Sequence, residues 1–241
     1  VQIIKPKVFI FEGINHLSAN IHPQVNSTVE FVTNLTHERM QNKVNGIICS
    51  RQQLVKLQGL FPANIPILTD DKLQDIALWD CFLTKLYTIE RLDGLYNDLT
   101  HHNIIQFHSC HKYLIMAYSP IGYQYTGRLV ASIKSSTDLV CFFNQYKACL
   151  MEILAAVPAK NIEVNALSHM QGYFKHKATK DEKKRLLWLI NDYLAGNLPL
   201  NRPLEMMKQL LVQYPDSYLM EQVIFEPYPN SCSIRELPYC W

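Results

Sequence analysis

The spacing of apolar residues changes character near Asp70. Before it, short β-rich runs are separated by polar stretches; after it, apolar positions recur at helical spacing almost without interruption. KVFIF (Lys7 to Phe11), VNGIIC (Val44 to Cys49) and IPIL (Ile65 to Leu68) predict three strands. Between them, Pro23 to Met40 carries Val25, Val29, Val32 and Leu35 at helical spacing, and Gln52 to Leu60 predicts a short second helix. The order β-α-β-α-β implies a small parallel sheet with right-handed crossovers.

Beyond this module the expected elements are helices. Thr69 or Asp70 caps one that carries Leu73, Ile76, Ala77, Leu83, Leu86 and Tyr87. A second runs from Thr100 to Tyr118. Ser119-Pro120 supplies a cap and a first-turn proline for a third, through Ala131. Thr137 to Val157 predicts a long apolar helix stopped by Pro158, and Thr179 with Glu182 forms a capping box for a helix ending at Gly196. Pro203 to Tyr214 and Ser217 to Phe225 complete the set, before an irregular tail beginning EPYPNS. The expected fold is therefore α+β: an α/β module over residues 1–70, then a mainly all-α bundle over 71–241.

Composition changes this picture little. With 48% hydrophobic and 18% charged residues, the chain has the balance of a soluble globular protein. No apolar run is long enough to span a bilayer and no charged-then-apolar leader opens the sequence, so a cytoplasmic protein without a membrane partner is expected. The seven cysteines lack CxxC spacing and are expected to be reduced thiols, with no cofactor or metal held. The formal net charge of +2 gives no bulk attraction to nucleic acid. Its distribution says more: bases number nine against ten acids up to Leu99, and fourteen against eleven afterwards. Six Lys or Arg face two acids between Tyr173 and Arg185.

Four segments carry candidate chemistry. FHSCHK places His108 and His111 three apart with Lys112 adjacent, a pair suited to proton handling or metal ligation. His169 is a third candidate only by analogy. A polar helix junction is the simpler explanation of all three, because no HExxH signature or further ligand accompanies them. SHMQGYFKHK joins Gly172 to two aromatics and then Lys-His-Lys, ingredients for stacking bases and neutralising phosphates. The bland alternative makes Tyr173 and Phe174 core anchors, with Lys175 and Lys177 merely solvated. In KDEKKR, Lys183, Lys184 and Arg185 lie close to a helix N-terminus, against the helix dipole, which suggests an anionic partner. Gly127 would let another helix approach, and Arg128 suits a phosphate or carboxylate clamp.

These positions together resemble the YbgA-like family of bacterial domains. The first block is Phe107, His108, Ser109, His111, Lys112, Met116, Ser119, Pro120, Tyr123, Gly127 and Arg128. The second is Asn165, His169, Gly172, Tyr173, Phe174 and Lys175, followed by Glu182, Lys183, Tyr193, Pro199, Pro203, Gln222 and the PYP at 227–229. The resemblance implies a helical domain that in many bacteria follows an iron–sulfur desulfidase domain acting on thiolated uracil or uridine, and that helps hold RNA. FPANIPILTDDKLQDIALWDCFLTKLYTIERL resembles the junction between those domains. Upstream the likeness fails: a desulfidase domain is considerably longer and carries three cluster cysteines, whereas only Cys49 precedes the junction here. The N-terminal module is expected to be a shortened, cluster-free remnant.

The expected function is a non-catalytic RNA-binding or accessory protein for tRNA or thio-modified RNA, with a separate desulfidase as a candidate partner only. Candidate contacts are Lys112, Arg128, His169, Tyr173, Lys175, Lys177, Lys183, Lys184 and Arg185. The alternatives are an enzyme using His108, His111 and His169, and a protein-interaction module offering an open sheet edge.

Overall fold

The computed structural model describes residues 5–11, 25–33, 44–57, 60–61 and 65–237. It confirms the α+β class, and the chain forms two compact units. The first comprises residues up to Asp93 together with Tyr228–Ile234; the second comprises Gly94–Pro227 and Arg235–Trp241.

Four parallel strands form the sheet of the first unit: β1 (Lys7–Ile10), β2 (Glu30–Val32), β3 (Gly46–Cys49) and β4 (Ile67–Thr69), in the order β2-β1-β3-β4. Phe9 pairs with Ile47 and Ile48 with Leu68. All of β3 is buried, as a central parallel strand covered on both faces should be. Its side chains alternate accordingly. Ile48 joins Val8 and Leu68 beneath α2 (Ile76–Tyr96), while Ile47 and Cys49 face Leu54 of α1 (Arg51–Leu57). The edge strands β2 and β4 have three residues each, so either edge offers a partner strand few backbone groups.

α2 is the cover of this sheet. Trp79, Phe82, Leu83 and Leu86 are its buried apolar positions, and its polar ends are anchored too. The Trp79 indole donates to the Leu73 carbonyl at 2.7 Å, Tyr87 donates to the Thr28 carbonyl at 2.6 Å, and Asn45 donates to Glu90 at 3.2 Å. The returning segment adds Ile234 and Cys232 to the same core, and the Tyr228 hydroxyl donates to Asp80 at 2.6 Å. The sequence places a domain boundary at residue 70, whereas the compact units divide after Asp93, because α2 spends its apolar face on the sheet.

The helix expected over Pro23 to Met40 is not formed in its described part. Residues 25–29 make a turn, with the Thr28 and Val29 amides both bonded to the Val25 carbonyl, and β2 follows at once. One turn is enough to bring Val25 and Val29 to the same core, which reproduces the i, i+4 spacing of a helix. Residues 23–24 and 34–40 of that expected helix lie outside the described residues.

The second unit is helical: α3 (His101–Cys110), α4 (Lys112–Tyr118), α5 (Pro120–Ala131), α6 (Leu139–Ile153), α7 (Lys160–Gln171), α8 (Lys180–Leu194), α9 (Asn201–Gln213) and α10 (Ser217–Met220). A 3-10 turn, Gly172–Phe174, follows α7. α4 packs most extensively on α7, through Tyr113, Leu114, Met116 and Ala117 against Ala166, Leu167 and Met170. Leu186, Ile190 and Tyr193 of α8 and Leu204, Met207 and Leu210 of α9 complete that core.

The helix expected to be capped by Thr69 or Asp70 starts instead at Ile76: Thr69 makes no side-chain cap bond, and Asp75 accepts from the Leu78 amide at 3.1 Å. Two other expected caps are present. Ser119 accepts from the Gly122 amide at 2.9 Å, and Thr179 and Glu182 close a reciprocal capping box. Gly196 ends α8 with φ of +85°, where a side chain would be strained. The single helix expected from Thr100 to Tyr118 is broken at His111. There the imidazole Nδ1 donates to the Phe107 carbonyl at 2.7 Å, competing with the main-chain amide for the same acceptor. No helix of the described residues is long and apolar enough to cross a membrane.

Gly46 tests the packing of α2 on the sheet. A Cβ there would sit 2.5 Å from Leu86 Cδ2 and 3.0 Å from Phe82 Cζ. Gly46→Val is expected to lower stability by about 1–3 kcal/mol, measured by denaturant unfolding. An unchanged midpoint would contradict this packing.

Candidate functional site

Two of the segments singled out in the sequence, FHSCHK and SHMQGYFKHK, meet in the second unit, around Lys112. This residue opens α4 and is half-buried; its Nζ lies 4.9 Å from the ring centroid of Tyr113, 5.7 Å from Tyr218 and 5.9 Å from Tyr123. Cation–π contacts of this kind contribute about 0.5–1 kcal/mol each where partly solvated. Tyr173, on the turn after α7, joins the same cluster: Tyr113 and Tyr173 hydroxyls are 3.1 Å apart, and the Tyr173 ring stacks on Tyr218 with centroids 6.2 Å apart. Four elements, α4, α5, α10 and the 172–174 turn, thus each contribute an aromatic ring. Burial raises Tyr113, Tyr123 and Tyr218 above the ordinary phenol range, and the proximity of the phenols to one another adds to it. The hydroxyls therefore remain protonated donors at neutral pH.

The three candidate histidines do not converge. His108 is buried against Tyr146, whose hydroxyl is 3.1 Å from Nδ1, and stacks on Tyr123 at 5.8 Å. His111 is buried and stacks on Phe107 at 3.9 Å between centroids, with Nδ1 bonded to the main chain. His169 is exposed on α7. No three His, Cys, Asp or Glu side chains among the described residues are grouped to hold a metal. Cys49 is a core thiol, raised to about 11 by burial and then by Asp70.

The basic candidates divide into two sets. Lys177 pairs with Asp216 at 3.7 Å, and Lys183 donates to the Lys175 carbonyl at 3.1 Å, so both are partly occupied within the chain. Lys175, Lys184, Arg185 and Arg128 are exposed. α8 buries Leu186, Leu189, Ile190 and Tyr193 and turns Lys184, Arg185 and Trp188 outward. Trp188 is 58% exposed, a rare state for an indole, and stands one helical turn beyond the two cations.

Tyr113, Tyr218 and Trp188 are not among the candidates that the sequence offers. The first two are brought in only by tertiary packing. Trp188 had a readable signal, since the apolar stripe of α8 leaves it on the polar side. The close helix approach expected at Gly127 lies instead at Gly122, where a Cβ would stand 2.7 Å from Ile153 Cδ1. At Gly127 it would meet His108 Nε2 at an ordinary 3.5 Å. Gly172 has helical φ and open space around it, so it serves neither a left-handed cap nor a close approach.

The region from Lys112 to Pro229 matches a family described as "Protein of unknown function (DUF1722)", over residues 112–229. The "Uncharacterized protein YbgA" of Escherichia coli (strain K12) is 31% identical over 157 residues, covering 65% of this chain and 93% of that relative. The chain belongs to the YbgA-like family. No solved structure matches it.

Burial lowers His108 from 6.5 to about 4, favouring the neutral ring. Between those values the unfolded chain binds the proton and the folded chain does not, so stability falls as pH drops from 6.5 towards 4. His108→Gln is expected to flatten the unfolding midpoint over this window. A variant that keeps the wild-type pH slope would show that His108 is not the group responsible.

Proposed function

We propose that this protein is a non-catalytic, cytoplasmic RNA-binding or accessory protein, with tRNA or thio-modified RNA as its ligand and a separate desulfidase as a candidate partner. The outer face of α8 carries this reading. Among the described residues, exposed Lys184 and Arg185 have no acidic partner within ion-pair distance, and exposed Trp188 lies one turn away. A flat aromatic beside uncompensated cations offers one surface to an unstacked base and another to the adjoining phosphates. Lys175, exposed just before the capping box, extends the positive surface towards the 172–174 turn.

An enzyme built on the histidines has less support. His108 is held neutral by burial, His111 is bonded to its own main chain, and His169 stands apart. An open-edge interaction module is limited by three-residue edge strands.

The test is a salt-series titration of bulk tRNA with the wild-type chain, Trp188→Ala and the Lys184→Ala/Arg185→Ala double variant. Loss of the indole is expected to weaken binding by about 1–3 kcal/mol with little change in salt slope. Removal of the two cations is expected to reduce that slope by about 0.7 for each phosphate no longer neutralised. Wild-type affinity and slope in both variants would overturn the assignment of this face.

A further inference from the structure

We infer that the Lys112–tyrosine cluster is a receptor for a phosphate group, separate from the α8 face. Lys112 is half-buried, yet among the described residues no carboxylate lies within ion-pair distance of it, and three phenol rings take that place. A partly desolvated ammonium surrounded by ring faces retains N–H donors that those faces cannot satisfy as acceptors do. An anion from outside completes it.

The hydroxyls narrow the class of anion. Tyr113 donates to Tyr173, so the Tyr173 oxygen is the acceptor and its own proton is free to go to a ligand. Tyr218 and Tyr123 bring two further phenols into the cluster. Donors from separate elements around one ammonium suit a tetrahedral oxyanion with several acceptor oxygens better than a planar carboxylate with two. The rings are held by one another and by His108, which stacks on Tyr123, so the donors are positioned before a ligand arrives. Preorganisation of this kind reduces the ordering cost of binding.

Two sources share this chemistry: free phosphate, and a phosphate of an RNA strand. The site would then fix a strand through its backbone while the α8 face stacks a base, but phosphate recognition does not require that the RNA reading hold.

The experiment titrates the full chain with inorganic phosphate, sulfate and acetate, followed by tyrosine difference absorption, and repeats the series on Lys112→Met, Tyr173→Phe and Lys184→Met. Saturable phosphate binding, stronger than acetate, is expected for wild type and for Lys184→Met. It should fall by about tenfold or more in Lys112→Met and by less in Tyr173→Phe, which keeps the ring. A short RNA with and without a 5′-terminal phosphate, competed against inorganic phosphate, separates the two sources. Thermal unfolding confirms that each variant is folded; should Lys112→Met not fold, the decision rests on Tyr173→Phe. No saturable response to phosphate in wild type, or an unchanged one in the folded variants, overturns the proposal. Because Lys184→Met alters only the α8 face, loss of RNA binding there with intact phosphate binding keeps the two claims separable.

Discussion

The second unit depends on burying α4. Five of its seven residues, Tyr113 to Ala117, are buried, so this short helix has almost no solvent face of its own. A seven-residue helix has little intrinsic stability and forms here because its neighbours cover it. α7 supplies Ala166, Leu167 and Met170, and small residues at this contact allow close packing. The helix is interrupted at His111, and α4 from Tyr113 to Ala117 is buried, with Tyr113, Leu114, Met116 and Ala117 in that core.

The same constraint creates the site. A helix buried from its second residue onward must begin with something that can bridge core and solvent. Lys112 does so: it is half-buried, with its ammonium over the tyrosine rings. Tyr123, Tyr173 and Tyr218 are then both packing residues and candidate ligand contacts, while His108 only packs, stacked on Tyr123. Substituting them will mix stability with binding unless the ring is retained, and for that reason Tyr→Phe is more informative there than Tyr→Ala. The α8 face is different. Lys184, Arg185 and Trp188 lie opposite the buried stripe, so altering them leaves the core untouched.

Local signals survived translation into structure. The Ser119-Pro120 start, the Thr179–Glu182 box and the runs that form β1, β3 and β4 depend on a few neighbouring residues and were legible in the sequence. β2 was not, because Val25 and Val29 meet the core from a single turn and imitate helical spacing. Nor was the break at His111, which depends on a ring nitrogen reaching a carbonyl four residues back. FHSCHK and the Tyr173 segment were visible separately as chemically dense stretches. Their meeting was not, since Lys112, Tyr123, Tyr173 and Tyr218 come from four elements joined only by tertiary packing. The histidine pair misled for a related reason: three-residue spacing implies a shared face, but the two rings take separate buried partners.

The RNA reading proposed for the helical unit rests on two surfaces, the α8 face and the turn that carries Tyr173. Ultraviolet crosslinking of single-stranded RNA to the full chain, with the crosslinked peptides identified by mass spectrometry, tests it most directly. Adducts are expected within α8, centred on Trp188, and at the 172–174 turn around Tyr173. Adducts confined to the sheet-bearing unit, or none under conditions where a known RNA-binding protein crosslinks, would contradict it.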